Sequence, residues 1–205
     1  LGGWIATRAG GHFATLYTHI DDFVESTTMV TPTGVVESRR LPGSGAGPSP
    51  DRIVIGSEGI LGVITEAWMR LQNRPIFRSS CSVEFDNYQK ALNATRLISQ
   101  SGLYPANCRL LDANEAFLNS AGDGSKHLLI LSFESADHEL GTWLDRALEI
   151  ASSEGGSYEK PQEKEPEAHR RGASGTWRNS FIRAPFNRDA AVRRGIIWDT
   201  FETSI

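Results

Sequence analysis

Residues 56–65, GSEGILGVIT, place three glycines and one carboxylate ahead of a β-branched run. Glycine has no Cβ, so a backbone this rich in it can come close to another molecule. Main-chain N–H groups in such a turn can hold a diphosphate or back a flat ring. A second glycine-bounded segment, residues 2–11 (GGWIATRAGG), has the same capacity and carries Thr7, Arg8, Ala9 and Gly10. Two readings stand for each charged group in these segments. Arg8 is either a ligand contact or half of a surface ion pair, and Glu58 is either a cofactor contact or a turn-capping carboxylate. Asp21 and Asp22 read as strand-end caps rather than catalysts.

The elements that would position these residues fall in two halves. Residues 26–31 and 35–37, joined by Pro32-Thr33-Gly34, read as a β-hairpin with turn chemistry at its corner. Residues 41–51 (LPGSGAGPSPD) read as a loop, Ile53-Val54-Ile55 as a short strand or a first helical turn, and residues 63–71 as a strand. Beyond Arg74-Pro75 the pattern alternates. Strands are expected around 82–85, 108–112 and 128–134. Helices are expected over 87–101 with Asp86 as N-cap and Gly102 at its end, over 113–120, and over 137–153 with Gly155-Gly156 closing it. The 87–101 helix would bury Ala91, Leu92, Thr95, Leu97 and Ile98. Two strand-to-helix units, each with a strand near a Phe-acid pair (Phe85-Asp86 and Phe133-Glu134), fit a split βαβ, ferredoxin-like sheet. Residues 160–171 read as a charged connector or exposed helix. The tail from Thr176 mixes large apolar residues with five arginines.

Composition narrows the function. The 205 residues carry a net charge of −4, with 22% charged and 39% hydrophobic residues, and no basic stripe marks a nucleic-acid footprint. Cys81 and Cys108 read as buried free thiols of a reducing compartment. The five histidines have no metal-ligand spacing, so no metal is expected. No apolar run reaches the length of a membrane span. Both ends are abrupt, and the chain reads as a piece of a longer protein.

Four segments in order give a more specific signal: the glycine-bounded 2–11 stretch, Ile20-Asp21-Asp22-Phe23-Val24, Met29-Val30-Thr31-Pro32-Thr33-Gly34, and GSEGILGVIT. Together they resemble the vanillyl-alcohol-oxidase, or PCMH-type, FAD-linked oxidases. Within that family the chain is most similar to the alkyldihydroxyacetonephosphate synthases, through residues 2–9 (GGWIATRA), Met29-Val30-Thr31-Pro32, Arg109-Leu110-Leu111-Asp112 and Phe201-Glu202-Thr203-Ser204. Residues 112–175 match loosely.

The resemblance implies an α+β fold. Residues 1–75 would be the second half of a PCMH-type FAD-binding domain, and 76–205 the first part of a ferredoxin-like FAD-linked oxidase C-terminal, or substrate, domain. It implies FAD as cofactor, with Thr7, Arg8, Ala9 and Gly10 along the flavin and its diphosphate. Glu58, Gly59, Ile60, Leu61, Gly62, Val63 and Ile64 would form a second wall, with Ile64 toward the adenine. Arg183 would face a phosphate-bearing substrate, with Arg178 as a second candidate, because a guanidinium offers paired donors to a phosphate. Arg109 is expected to be structural. Catalytic residues are expected beyond the C-terminus, so this piece alone would be inactive and would take up FAD weakly.

The implied reaction exchanges the acyl group of acyl-dihydroxyacetone phosphate for a fatty alcohol, a step of ether lipid synthesis. The flavin carries the chemistry and the protein positions it. Two alternatives stay open: oxidation of a 2-hydroxy acid such as D-lactate or glycolate, and an inert folded or dimerising module. Further expectations are a small-molecule lipid or hydroxy acid as substrate, no nucleic acid, peripheral membrane contact by the full-length protein, and a homodimer. The expected compartment is the cytoplasm, or the peroxisome in a eukaryote.

Overall fold

The structure is a computed structural model that describes residues 1–11, 15–17, 19–40, 49, 52–159 and 172–197. The chain divides into two compact units, Leu1–Arg74 and Pro75–Ile205.

The first unit is built on the predicted hairpin. Strand β1 (Val24–Thr31) is central, with β2 (Gly34–Glu37) antiparallel on one side and β3 (Val63–Met69) antiparallel on the other. The corner holds as its residues require: Thr31 Oγ1 donates to the Gly34 carbonyl at 2.8 Å. Residues 20–22 form a single 3-10 turn, not strand, and the extended run begins at Val24. His19 and Asp22 close a reciprocal capping box at its start. The Gly2-Gly3 segment is a short helix, α1 (Gly2–Ala6), which carries no helical signal in sequence because glycines open it. Ile53-Val54-Ile55 is neither strand nor helix but a turn that buries Val54 and Ile55. Ile5 of α1, Val24 of β1 and Ile55 of this turn close the unit's small core, with Ile64 and Met69 of β3 packed on it. Most of the expected loop at 41–51 lies outside the described residues.

The second unit carries the split βαβ arrangement. Strands β4 (Phe77–Phe85) and β5 (Asn107–Leu111) both run antiparallel to β6 (His127–Ser135), which lies between them. Helix α2 (Tyr88–Ser99) connects β4 to β5, and α4 (Gly141–Ser153) follows β6. Alternation along the strands turns Cys81, Val83 and Phe85 of β4 and Leu129, Leu131 and Phe133 of β6 to one face. There Ala91, Ala94 and Ile98 of α2 and Leu144, Ala147, Leu148 and Ala151 of α4 complete the main core. Phe85 and Phe133 therefore reach the same core from the two strand-to-helix units. After α4 the chain returns beside β4, where Ser157 and Glu84 exchange backbone hydrogen bonds of 2.7 and 2.9 Å. Gly156 makes the return possible: a Cβ there would stand 2.6 Å from Val83 and 2.7 Å from the Phe85 ring.

Two expected helix starts move. The cap of α2 is Asn87, not Asp86: its side chain accepts from the Lys90 N–H at 3.1 Å with extended backbone angles. Asp86, one residue too early to reach the first turn, pairs with Lys126 instead. The helix expected from 137 starts at Gly141, because Ser135 Oγ accepts from the N–H groups of Asp137 and His138 and holds 135–138 in a turn. Of the expected face of α2, Ala91, Thr95 and Ile98 are buried, Ala94 joins them, and Leu92 and Leu97 are only half-buried.

On the opposite face of the sheet, the short helix α3 (Ala113–Leu118), N-capped by Asp112, sets Ala116 against Leu111, Leu128 and Ile130. His127 Nδ1 accepts from the Ala113 N–H at 3.1 Å and so satisfies one more amide of the first turn. A long helix, α5 (Gly172–Val192), packs against β4 and is joined to α3 where Ser180 Oγ donates to Asn119 Oδ1 at 3.0 Å. The sequence hid α5, because Gly175 and Pro185 sit inside it and a helical proline removes one backbone bond. The expected connector at 160–171 and the FETS stretch at 201–204 lie outside the described residues.

Candidate functional site

The two glycine segments meet in the first unit. The Gly56 N–H donates to the Ile5 carbonyl at 2.9 Å, and the Glu58 N–H donates to the Ala6 carbonyl at 2.8 Å. Each close contact answers the question the glycines raise. A Cβ on Gly62 would fall 2.3 Å from the Val30 carbonyl oxygen, and one on Gly56 would fall 3.2 Å from the Arg8 Cβ. These two glycines therefore let backbone pack on the protein itself. Gly59 differs: its φ is +79° and nothing lies within 4 Å of where its Cβ would stand. The neighbouring N–H groups of Gly56, Ser57, Glu58 and Ile60 are bonded inside the fold, so Gly59 is the part of the turn that faces open space.

Two residues beside this seam hold strained backbone. Arg8 and Glu58 have φ of 51° and 53°, in the left-handed region that costs a side-chain-bearing residue about 1–2 kcal/mol. Arg8 occupies the position after α1 where glycine ordinarily sits. Its N–H reaches the Ile5 carbonyl, and the next N–H, of Ala9, reaches Trp4. A non-glycine residue kept in such a place marks a constraint beyond folding. The Arg8 guanidinium pairs with the Asp21 carboxylate at 3.2 Å, an exposed pair that adds little stability. Asp21 thus serves the surface-pair reading of Arg8.

The remaining predicted cofactor residues cluster around the seam. Thr7 and Gly10 are exposed, Ala9, Leu61 and Ile64 are half-buried, and Ile60 is 84% exposed. Val63 pairs across the sheet with Val30, and Val30 pairs with Val35, all three exposed. An uncovered apolar row therefore runs from the glycine turn across the strands. On the other face of these strands, where Met29 and Val36 pair, a cleft of about 490 Å³ opens between the hairpin and the turn, lined by Thr27, Met29, Thr33, Val36, Val54 and Leu61. That size and mixture of apolar walls with a few hydroxyls is typical of a small-molecule site.

In the second unit, Arg183 is exposed on α5 and Arg178 lies on the same helix. A Ser135–Asp137–His138 cluster brings three groups of catalytic type together, with His138 Nδ1 2.9 Å from Ser135 Oγ and 2.6 Å from Asp137 Oδ1. Both oxygens converge on the same ring nitrogen. A nucleophile relay needs the nucleophile and the carboxylate on opposite nitrogens, so this cluster only holds the turn. Among the described residues, no three His, Cys, Asp or Glu side chains group as metal ligands. No described helix is long and apolar enough to cross a membrane.

A family profile described as FAD linked oxidases, C-terminal domain, matches residues 74–205. The chain belongs to this family, a family of flavoenzymes whose cofactor is FAD. It is 39% identical over 126 residues to the alkyldihydroxyacetonephosphate synthase of Dictyostelium discoideum, covering 62% of this chain and 21% of that protein. It is 37% identical over 114 residues to a mitochondrial D-lactate dehydrogenase (cytochrome) of Arabidopsis thaliana, covering 55% and 20%. A solved structure of alkyldihydroxyacetonephosphate synthase superposes with a TM-score of 0.70 at 27% identity, over 90% of this chain and 36% of that one. The chain thus spans about a fifth of the length of these curated relatives.

The residues present fit FAD. The residues named for it meet at this seam, where Gly59 leaves open space and Arg8 and Glu58 hold left-handed backbone.

Proposed function

We propose that the full-length protein is an FAD-dependent enzyme resembling the alkylglycerone-phosphate synthases. It would exchange the acyl group of acyl-dihydroxyacetone phosphate for a fatty alcohol. The observation that carries the cofactor part is the seam itself, two glycine segments distant in sequence and bonded through Gly56–Ile5 and Glu58–Ala6. Around it, Thr7, Arg8, Ala9, Gly10 and residues 58–64 would hold FAD, with the open backbone at Gly59 toward its diphosphate and Leu61 and Ile64 against its rings. When bound, FAD would supply the reactive ring system, and the residues of this chain would position it. In the second unit, exposed Arg183 would bind the substrate phosphate through its paired N–H donors. The likeness to the synthases, which reaches 90% of this chain in the solved structure, favours this reaction.

The 37% identity to a D-lactate dehydrogenase favours a second reading, oxidation of a 2-hydroxy acid by the same cofactor. The full-length protein would work in the cytoplasm, or in the peroxisome of a eukaryote, against a membrane surface that supplies its lipid. Assaying the full-length protein with acyl-dihydroxyacetone phosphate and a fatty alcohol, beside D-lactate and glycolate, separates the two. Alcohol incorporation with no flavin bleaching is expected. Bleaching by either hydroxy acid, with no incorporation, overturns the transferase reading. An Arg183→Ala variant is expected to raise KM for the phosphorylated substrate by about tenfold, the loss of one charge-assisted contact.

A further inference from the structure

One row on the second face of the β4–β6–β5 sheet is polar where a covered sheet face is ordinarily apolar. Ser132 of the central strand β6 stands in register with Ser80 of β4 and with Asn107 of β5. Ser132 and Asn107 are buried, and the Ser132 hydroxyl is fully enclosed with no hydrogen-bond partner among the described residues. Its neighbours on the same face of β6, Leu128 and Ile130, belong to the apolar cluster that α3 closes. An enclosed hydroxyl without a partner is destabilising in a way that alanine is not. Folded proteins keep few such groups, and those they keep call for a reason. Two residues along each strand, Ile130 stands in register with Ser82 and Arg109, so a guanidinium shares this face. The helix α5 packs on β4 and is held by the Ser180–Asn119 hydrogen bond to the end of α3, the helix that closes the apolar part of this face.

We propose that this row is an oxyanion-binding floor of the substrate domain, in which the Ser132 hydroxyl donates to a carboxylate or phosphate oxygen of the substrate. The identity of the occupant rests on the enzyme reading above, whereas the site rests on the orphaned hydroxyl. The test follows thermal unfolding of the FAD-loaded full-length protein as inorganic phosphate, and separately acetate, is added. Wild type is expected to rise saturably with one of the two, phosphate marking a phosphate ester and acetate a carboxylic acid. The Ser132→Ala variant is expected to melt at or above the wild-type temperature, with its apparent anion affinity at least tenfold weaker. Ser132→Thr, which keeps the hydroxyl, restores the response.

No saturable response in wild type, or the same response in Ser132→Ala, overturns the proposal. An enzyme that neither transfers nor oxidises, yet shows the Ser132-dependent response, keeps the site and removes only the activity reading.

Discussion

Arg8 and Glu58 hold left-handed backbone at the edge of one seam, and together they store about 2–4 kcal/mol of strain. Glycine at either place would relieve it, so folding alone does not account for the side chains. The two thiols show the opposite economy. Burial pushes the Cys81 thiol from 9.0 up to about 11, against a small opposing hydrogen bond to the Ser82 carbonyl. Burial pushes Cys108 up to about 12, with the Ser99 hydroxyl pulling the other way. Cys81 and Cys108 flank Leu131 from opposite strands, with that residue between them. Both therefore stay protonated at neutral pH, where the thiol is a poor nucleophile.

The folded state keeps protons that unfolded thiols release near 9.0. Their contribution to stability is therefore intact below that pH, and it is lost as pH rises through about 11 to about 12. A thiol reagent at pH 8 is expected to label neither cysteine until the protein is unfolded. Rapid labelling of the native protein contradicts this.

At the scale of elements, the chain's own periodicities named most strands and helices, because alternation and 3.6-residue spacing follow directly from burial. β4, β6, α2 and α4 were legible for that reason. Helix caps were less so, since Asp86 and Asn87 are both good capping residues and only the backbone turn decides between them. An Asn87→Ala substitution is expected to lower stability by about 1 kcal/mol. Asp86→Ala should have the smaller effect in the same denaturant titration, and the reverse order returns the cap to Asp86. The short α1 and the long α5 were hidden by glycines at the start of one and by Gly175 and Pro185 inside the other. Tertiary packing there outweighs local preference. The glycine turn was legible as a close approach, but not its partners. Gly62 and Gly56 meet Val30 and Arg8, and Gly59 alone is left open. The orphaned hydroxyl of Ser132 carries no sequence signal at all, because a serine in a strand reads as surface until its neighbours are placed.

At the scale of the molecule, two units carry separate tasks. The first brings together two glycine segments and a cleft, and the second provides a split βαβ sheet with one apolar face and one mixed face. The family profile covers residues 74–205 and so falls on the second unit, while the glycine seam proposed to hold FAD lies entirely in the first. The flavin account thus stands on two separate observations, one from each unit. Its most direct test is the FAD affinity of the full-length protein carrying Gly59→Ala, measured by quenching of flavin fluorescence. Alanine at this open, left-handed position strains the turn by about 1 kcal/mol and meets no protein atom within 4 Å, so the variant should fold. The account predicts FAD affinity at least tenfold weaker than wild type at a nearly unchanged melting temperature. Unchanged FAD affinity in a folded variant would contradict it.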